Sequence, residues 1–328
     1  MSVMTILHLS DIHFRAKGLE TEKTYRQQVS KHMMEAIGEH LDKNQIVPDV
    51  VVVTGDIAYS GKEEEYEEAA AFFKDLQSIL PPETSYLAVP GNHDVDREKI
   101  RKSFSLHQKV QKQEVDGFLE NKEEMAFFVN PKFSAFRAFV DKLHPELYKE
   151  EADYFWVKDV EVKGVSFLGL NSCWACENDE DKDKITLGLP QVTASLEQAG
   201  MPNRILLMHH PPNWLNEDDW NGYEGEIFKR CKLILHGHTH RDKALVYTNP
   251  SNSCICLGAN ASYTYEKKDG FIGFQFIRVE FGPEGLAVKG WPYRWESRDS
   301  FRFVPDIDRY EGQEGNPILN WKPLNARR

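Results

Sequence analysis

The sequence predicts an α/β protein built on two β-sheets, and three observations carry that prediction. Short β-rich runs alternate with longer helical patterns through the first half, and the second half is dominated by strand-like runs. Five short polar motifs each follow directly on an apolar run, the position at which side chains converge in a parallel sheet. Strand–helix–strand alternation argues for a largely parallel sheet covered by helices.

Residues 3–9, 50–53 and 86–89 are near-continuous apolar runs of strand length and read as buried strands. Residues 24–41 and 64–80 carry apolar side chains at spacings of three and four, which predicts helices; Pro48 and the pair Pro81-Pro82 mark the breaks that follow. The acidic run at 63–68 suits a solvated first helical turn, favoured by the helix dipole. After Asp94, a charged stretch over about residues 97–147 reads as a helical insertion or lid, with Phe127, Phe128, Phe133, Phe136 and Phe139 on its apolar face. In the second half, residues 154–157, 165–170, 205–208, 233–235, 244–247, 255–257, 270–280 and 286–292 are strand candidates, with helices at 190–198 and 222–229. The acidic segment 177–184 reads as a solvated loop. One domain over 1–296 is therefore expected. Residues 297–328 lose periodicity, yet Phe301, Phe303, Tyr310 and Trp321 predict a tail that packs on the domain or leads into a further region.

At 328 residues with 41% hydrophobic content the chain can bury a substantial core. Its formal net charge of -12 argues against extensive duplex nucleic-acid binding, because the surface as a whole repels polyanions. No apolar run approaches the roughly 20 residues that cross a bilayer, and the N-terminus lacks a secretory pattern. Five cysteines make no disulfide framework and point to a reducing cytoplasm; Cys173 and Cys176, spaced as C-x-x-C, read as ordinary reduced thiols.

The five motifs are Ser10-Asp11-Ile12-His13, Gly55-Asp56, Gly91-Asn92-His93-Asp94, His209-His210-Pro211 and Gly237-His238-Thr239-His240. Imidazole with carboxylate and amide oxygen suits manganese, iron or zinc, and no thiolate occurs in any motif. Asp11 and His13 lie two apart, so an extended strand end lets both face one ion; His238 and His240 repeat that spacing. With Asp56 available to bridge, there are ligands enough for two divalent metal ions about 3.5–4 Å apart, the spacing of two-metal phosphoryl-transfer sites.

This pattern, D-x-H, G-D, G-N-H-D/E, H and G-H-x-H in order from about residue 4 to 241, resembles the calcineurin-like metallophosphoesterases, the cyclic-nucleotide phosphodiesterase-like branch among them. The resemblance implies a four-layer α/β/β/α sandwich of two mixed β-sheets flanked by helices, with the helical insertion after the third motif. It further implies that Asp11, His13 and His240 hold one metal, that Asn92, His209 and His238 hold the other, and that Asp56 bridges. His209 is chosen over its neighbour His210 on the same ground. The implied activity is phosphodiester hydrolysis through a metal-bridging hydroxide. His93 is the expected general acid or electrostatic stabiliser at the leaving group, and Asp94 is expected to orient it. A small phosphodiester, such as a nucleotide, is the expected substrate. The alternatives are a phosphomonoesterase, a nuclease, and a non-catalytic or sensor module of a larger protein, with further domains or a homo-oligomer as partners. His8 and His236 lie in strand-like runs and read as core residues, whereas His32, His40, His107 and His144 fall in helical segments and read as surface residues.

Overall fold

The computed structural model of the chain describes residues 2–100, 105–143, 157–178, 180–241, 243–249, 251–264, 272–283, 285–297, 301–307 and 319–321. Strands β1 (Ser2–Leu9), β2 (Val50–Thr54) and β3 (Ser85–Val89) run parallel, linked by helices α1 (Glu20–Asn44) and α2 (Glu63–Ile79). Their unbroken apolar character follows from cover on both faces. Strand β10 (Gly273–Gly282) joins β1 antiparallel and leads to β11 (Gly285–Glu296) and β12 (Arg302–Pro305), giving the order β12-β11-β10-β1-β2-β3; β13 (Leu319–Trp321) also pairs with β11. The tail thus supplies two short strands to the edge of this sheet.

The second sheet has the order β4 (Val157–Val162), β5 (Val165–Gly169), β6 (Arg204–Leu207), β7 (Leu233–His236), β9 (Ser253–Gly258) and β8 (Ala244–Thr248). Its four inner strands are parallel and its two edges antiparallel, so both sheets are mixed. A period of two separates its faces. Phe167, Ile205, Leu207, Leu233, Leu235 and Leu257 enter the core shared with the first sheet. Their neighbours Leu168, Leu206, Met208, Ile234 and Cys256 enter a second core under α7 (Leu189–Gln198) and α8 (Glu217–Arg230). Helix, sheet, sheet and helix make the four layers expected. Among the described residues no helix is long and apolar enough to cross a membrane.

The insertion consists of α3 (Leu106–Gln111), α4 (Val115–Glu120), α5 (Lys122–Phe128) and α6 (Ser134–Leu143). Phe136 and Phe139 of α6 join the first core, where Phe139 stacks on Tyr66 at 5.3 Å, while Phe118 and Phe133 join the second beside Trp174. Phe127 is the exception and stays half exposed. The insertion is therefore part of the body, at least over its described residues.

Several local expectations are corrected. His40 is buried, stacked on Phe276 at 3.9 Å and bonded to the Tyr293 hydroxyl at 2.8 Å, because α1 lies flat on the first sheet. His107 is buried too, its Nε2 2.8 Å from Asp181. The segment 177–184 is docked and not fully solvated: Glu177 accepts from the Ser105 hydroxyl and the Leu106 amide at the start of α3, and Asp181 is buried against His107. Glu65, in the acidic run, is buried and turns back to accept from the amides of Ser60 and Lys62. Helix α8 begins five residues earlier than its apolar spacing indicated, since Asn216 caps it by accepting from the Asp219 amide. The strand expected at 154–157, His144 and Tyr310 lie outside the described residues, save Val157, which opens β4. All five cysteines are free and buried.

Lys132, 1% exposed, ties the insertion to the turn that follows β5: its Nζ donates to the carbonyls of Trp174 at 2.8 Å and Cys176 at 3.3 Å. Burial pulls its pKa from 10.5 down to about 8. Replacing it by methionine keeps the volume and strands two buried acceptors. Lys132→Met is expected to cost roughly 2–4 kcal/mol in urea unfolding. Between about pH 8 and 10.5 the unfolded chain holds the Lys132 proton and the folded chain does not, so wild-type stability gains from this group as pH rises. The variant is expected to lack that increment, and identical pH slopes would refute the assignment.

Candidate metal centre

Every motif sits just beyond the carboxyl end of a strand: Asp11 after β1, Asp56 after β2, Asn92 after β3, His209 after β6 and His238 after β7. The loops after β1 and β2 are laced together. Asp11 donates its amide to Gly55 O at 3.0 Å, His13 to Asp56 O at 3.0 Å and Phe14 to Ile57 O at 2.8 Å. Gly55 has φ +90°, and a Cβ there would stand 2.7 Å from the Gly91 amide nitrogen, so only glycine lets the second and third loops touch.

The donor atoms converge. His209 Nε2 lies 3.0 Å from Asn92 Oδ1, 3.2 Å from His238 Nδ1 and 3.3 Å from Asp56 Oδ2. On the other side of Asp56, His13 Nε2 lies 4.0 Å from Asp56 Oδ2 and 3.4 Å from His240 Nε2, which in turn lies 3.3 Å from Asp11 Oδ1. All seven sequence-predicted ligands are thus brought together in two groups that share Asp56. His209 Nδ1 donates to Thr54 O at 2.7 Å, which assigns a proton to that nitrogen and leaves Nε2 either to carry a second proton beside Asp56 or to offer its lone pair to a cation. A lone-pair nitrogen facing an amide oxygen, a carboxylate and another imidazole is an arrangement of acceptors; it is held by a shared proton or by a cation. The buried Asp11 Oδ1 and His13 Nδ1 make no hydrogen bond among the described residues. This donor set fits two divalent ions.

Electrostatics agree. Burial opposes charge on both carboxyls, but His209 and its neighbours outweigh it and hold Asp56 well below the usual range, and His240 likewise brings Asp11 to about 2. Burial opposes protonation of His209, yet the charge of Asp56 raises it well above its ordinary value. The pocket therefore favours positive charge. Burial drops His13 and His238 to about 3, leaving neutral imidazoles, the form that ligates.

The backbone achieves this differently from the sequence expectation. Asp11 and His13 do not lie on an extended strand end: their φ values are +52° and +53°, and Asp56, His238 and His240 stand at +54°, +66° and +51°. Five of the nine described non-glycine residues in the left-handed region are candidate ligands, and such strain concentrates at functional sites. A buried arginine from α1, overlooked in the sequence, braces the first loop. Arg26 donates to His13 O at 2.9 Å and Arg15 O at 3.3 Å. Nothing in a helical cation on an apolar face announces that role.

His93 and Asp94 follow Asn92 in a 3₁₀ turn (Asn92–Asp94), where successive side chains point about 120° apart. They consequently do not act on one another as expected. His93 Nδ1 donates to Tyr59 O at 2.7 Å, and its ring packs 4.8 Å from that of His13. Asp94 points inward, fully buried, and accepts from the Ala58 amide at 2.9 Å, the Gly91 amide at 2.9 Å and the Tyr66 hydroxyl at 2.8 Å. Burial, then the charge of Asp56, raises Asp94 to about 6. It is a buried clasp between the second and third loops. His210 meets the Ser172 hydroxyl through Nδ1 at 3.0 Å, and its ring packs beside that of His238 with centroids 4.3 Å apart. His8 bonds to Thr54 Oγ1 at 2.9 Å, and His236 is buried at the end of β7.

Residues 4–242 match the family described as calcineurin-like phosphoesterase. A protein of Arcobacter nitrofigilis named "Probable glycerophosphodiester phosphodiesterase GpdQ" is 31% identical over 119 residues, 36% of this chain and 37% of that relative, so the match spans little over a third of its length. The purple acid phosphatase PPD1 of yellow lupin has a similar fold, with a TM-score of 0.52 at 13% identity over 88% of this chain and 51% of that one. On the fold, the strand-end donors and this match, the chain belongs to the calcineurin-like phosphoesterase family.

Proposed function

We propose that the chain hydrolyses phosphodiesters, with Asp11, His13, Asp56 and His240 holding one divalent cation and Asp56, Asn92, His209 and His238 the other. The observation that carries this reading is the pair of donor groups meeting at Asp56. The name of the Arcobacter relative supports a diester over a monoester. Manganese, iron and zinc all suit the donors. When bound, such a pair supplies Lewis acidity toward the phosphate oxygens and a hydroxide nucleophile at neutral pH.

The chain's own part is positioning and proton transfer. The Tyr59 carbonyl holds His93 by Nδ1, so Nε2 is the nitrogen left to serve the leaving group. As the water oxygen bonds to phosphorus and the P–O bond to the alcohol breaks, the departing oxygen takes the Nε2 proton of His93 in its imidazolium form, which leaves a neutral ring still protonated at Nδ1. A phosphomonoester and an alcohol result. Residues 1–296 form the catalytic domain in this reading, and the tail extends its sheet. The five free, buried thiols suit a reducing cytoplasm.

Chelated protein given back manganese is expected to turn over a chromogenic phosphodiester faster than the matching monoester, and Asp56→Ala to turn over neither. A monoester preference would overturn the diesterase reading. His93→Ala is expected to keep two metals and its stability while kcat falls roughly 10²–10⁴-fold; equal loss of metal and turnover would remove His93 from the mechanism. Asp94→Ala is expected to differ in kind. It leaves buried donors unmet, so its unfolding free energy should drop by about 3 kcal/mol or more, with metal affinity falling alongside.

A further inference from the structure

A phosphodiester carries two alcohol groups, and a site that hydrolyses it must accommodate both. The structure distinguishes their surroundings. On the side of His93 stands Tyr59, its ring 5.1 Å from that of His93. That ring is already engaged: the Arg15 guanidinium lies 3.5 Å from its centroid, and Arg15 is itself paired with Glu22 at 3.1 Å. The leaving-group side is thus lined by a histidine, a cation and an occupied aromatic.

The opposite side differs. Trp214, in the 3₁₀ turn (Pro212–Trp214) that follows the His209 motif, stands with its centroid 4.0 Å from the ring of His238, nearly perpendicular to it at 78°. His238 Nδ1 is itself a corner of the donor cluster, 3.0 Å from Asn92 Oδ1. The indole therefore packs directly against a ring of the donor cluster. Trp214 is only half buried, so part of the residue remains open to solvent near the donors. Its position is also fixed. The ring lies at 28° to that of His210 with centroids 5.9 Å apart, and its backbone is pinned by Trp214 N to Pro211 O at 3.0 Å and Asp183 N to Trp214 O at 3.0 Å. A half-exposed tryptophan held rigid at a binding site offers area at little cost in entropy.

We propose that Trp214 is a specificity-determining wall for the alcohol group that stays on phosphorus, and that it selects an aryl or nucleobase-bearing substituent over a small alkyl one. This rests on the diesterase reading above and adds the class of substituent. Stacking of a planar group on one aromatic side chain corresponds to roughly a tenfold gain in affinity.

The test is equilibrium binding of diphenyl phosphate and dimethyl phosphate to the metal-loaded protein by calorimetry, in wild type, Trp214→Ala and Trp214→Phe, with metal content measured in each. The wild type is expected to bind the diphenyl ester more tightly. Trp214→Ala is expected to lose roughly tenfold on the diphenyl ester and little on the dimethyl ester, and Trp214→Phe to recover most of that loss. A wild type that does not prefer the diphenyl ester, equal losses on both ligands in Trp214→Ala, or no loss on either would overturn the proposal. The diesterase reading stands or falls separately, on diester against monoester turnover by the wild type.

Discussion

The contact on which the rest depends is the one between Asp56 and His209. It buries an anion and an imidazole from two different sheets, 3.3 Å apart and both almost wholly removed from water. Such a pair is tolerable only if its surroundings satisfy every remaining valence, because burial penalises any unmatched charge. The Thr54 carbonyl takes the His209 proton at Nδ1, the His93 amide donates to Asp56 Oδ1 at 2.8 Å, and Asn92 closes the third side. These partners come from β2, β3 and the loops beyond them. The two sheets must therefore pack in one register for the centre to exist. That register is set by the alternation of Ile205, Leu207, Leu233 and Leu235 toward the first sheet, so the apolar core and the polar site specify the same arrangement.

Much of this was legible in the sequence because the signals are local. A polar motif directly after an apolar run needs no knowledge of the remote chain, and the five motifs contain all seven side chains that converge around Asp56. What was not legible depends on tertiary contacts or on dihedral angles. His40 and His107 looked like exposed helical histidines, and only the sheet beneath α1 and the loop over α3 bury them. The partnership of His93 with Asp94 was inferred from adjacency, but a turn of three residues sends neighbouring side chains in different directions. The Tyr59 carbonyl that takes over the orienting role is a backbone atom, and no residue type advertises it. Trp214 is one aromatic among many in the sequence, and only the fold brings its ring beside His238.

The overall charge and the local charge serve different ends. A net -12 keeps the surface repellent to polyanions in general. Within the centre the balance reverses, since the imidazoles depress both carboxyls and Asp56 raises His209. An anionic ester thus meets attraction only over the short range at which the donors and whatever they hold dominate. Screening at physiological ionic strength, about 8 Å, confines that attraction further. In the diesterase reading proposed above, selection among phosphate esters falls to the side chains near the donors, where Arg15, Tyr59 and Trp214 stand.

Strain explains why so much scaffolding surrounds so few ligands. Each L-residue in the left-handed region costs about 1–2 kcal/mol, so Asp11, His13, Asp56, His238 and His240 together cost a sum comparable to the whole net stability of a typical domain. The spacing D-x-H could have been met by an extended strand end, with both side chains on one face and no such cost. The chain instead turns sharply after β1 and β7, which brings loops from two separate sheets within hydrogen-bonding reach: the His238 amide meets Asp11 Oδ2 at 3.1 Å, and the Ser262 amide meets Ser10 O at 2.7 Å. An extended continuation would carry those strands past one another. The buried Arg26 on the His13 carbonyl and the buried Asp94 on the amides of Ala58 and Gly91 then hold the turns in place from behind. Donors held in this way need little rearrangement to bind a cation, and the stability given up in the loops is returned as preorganisation at the site.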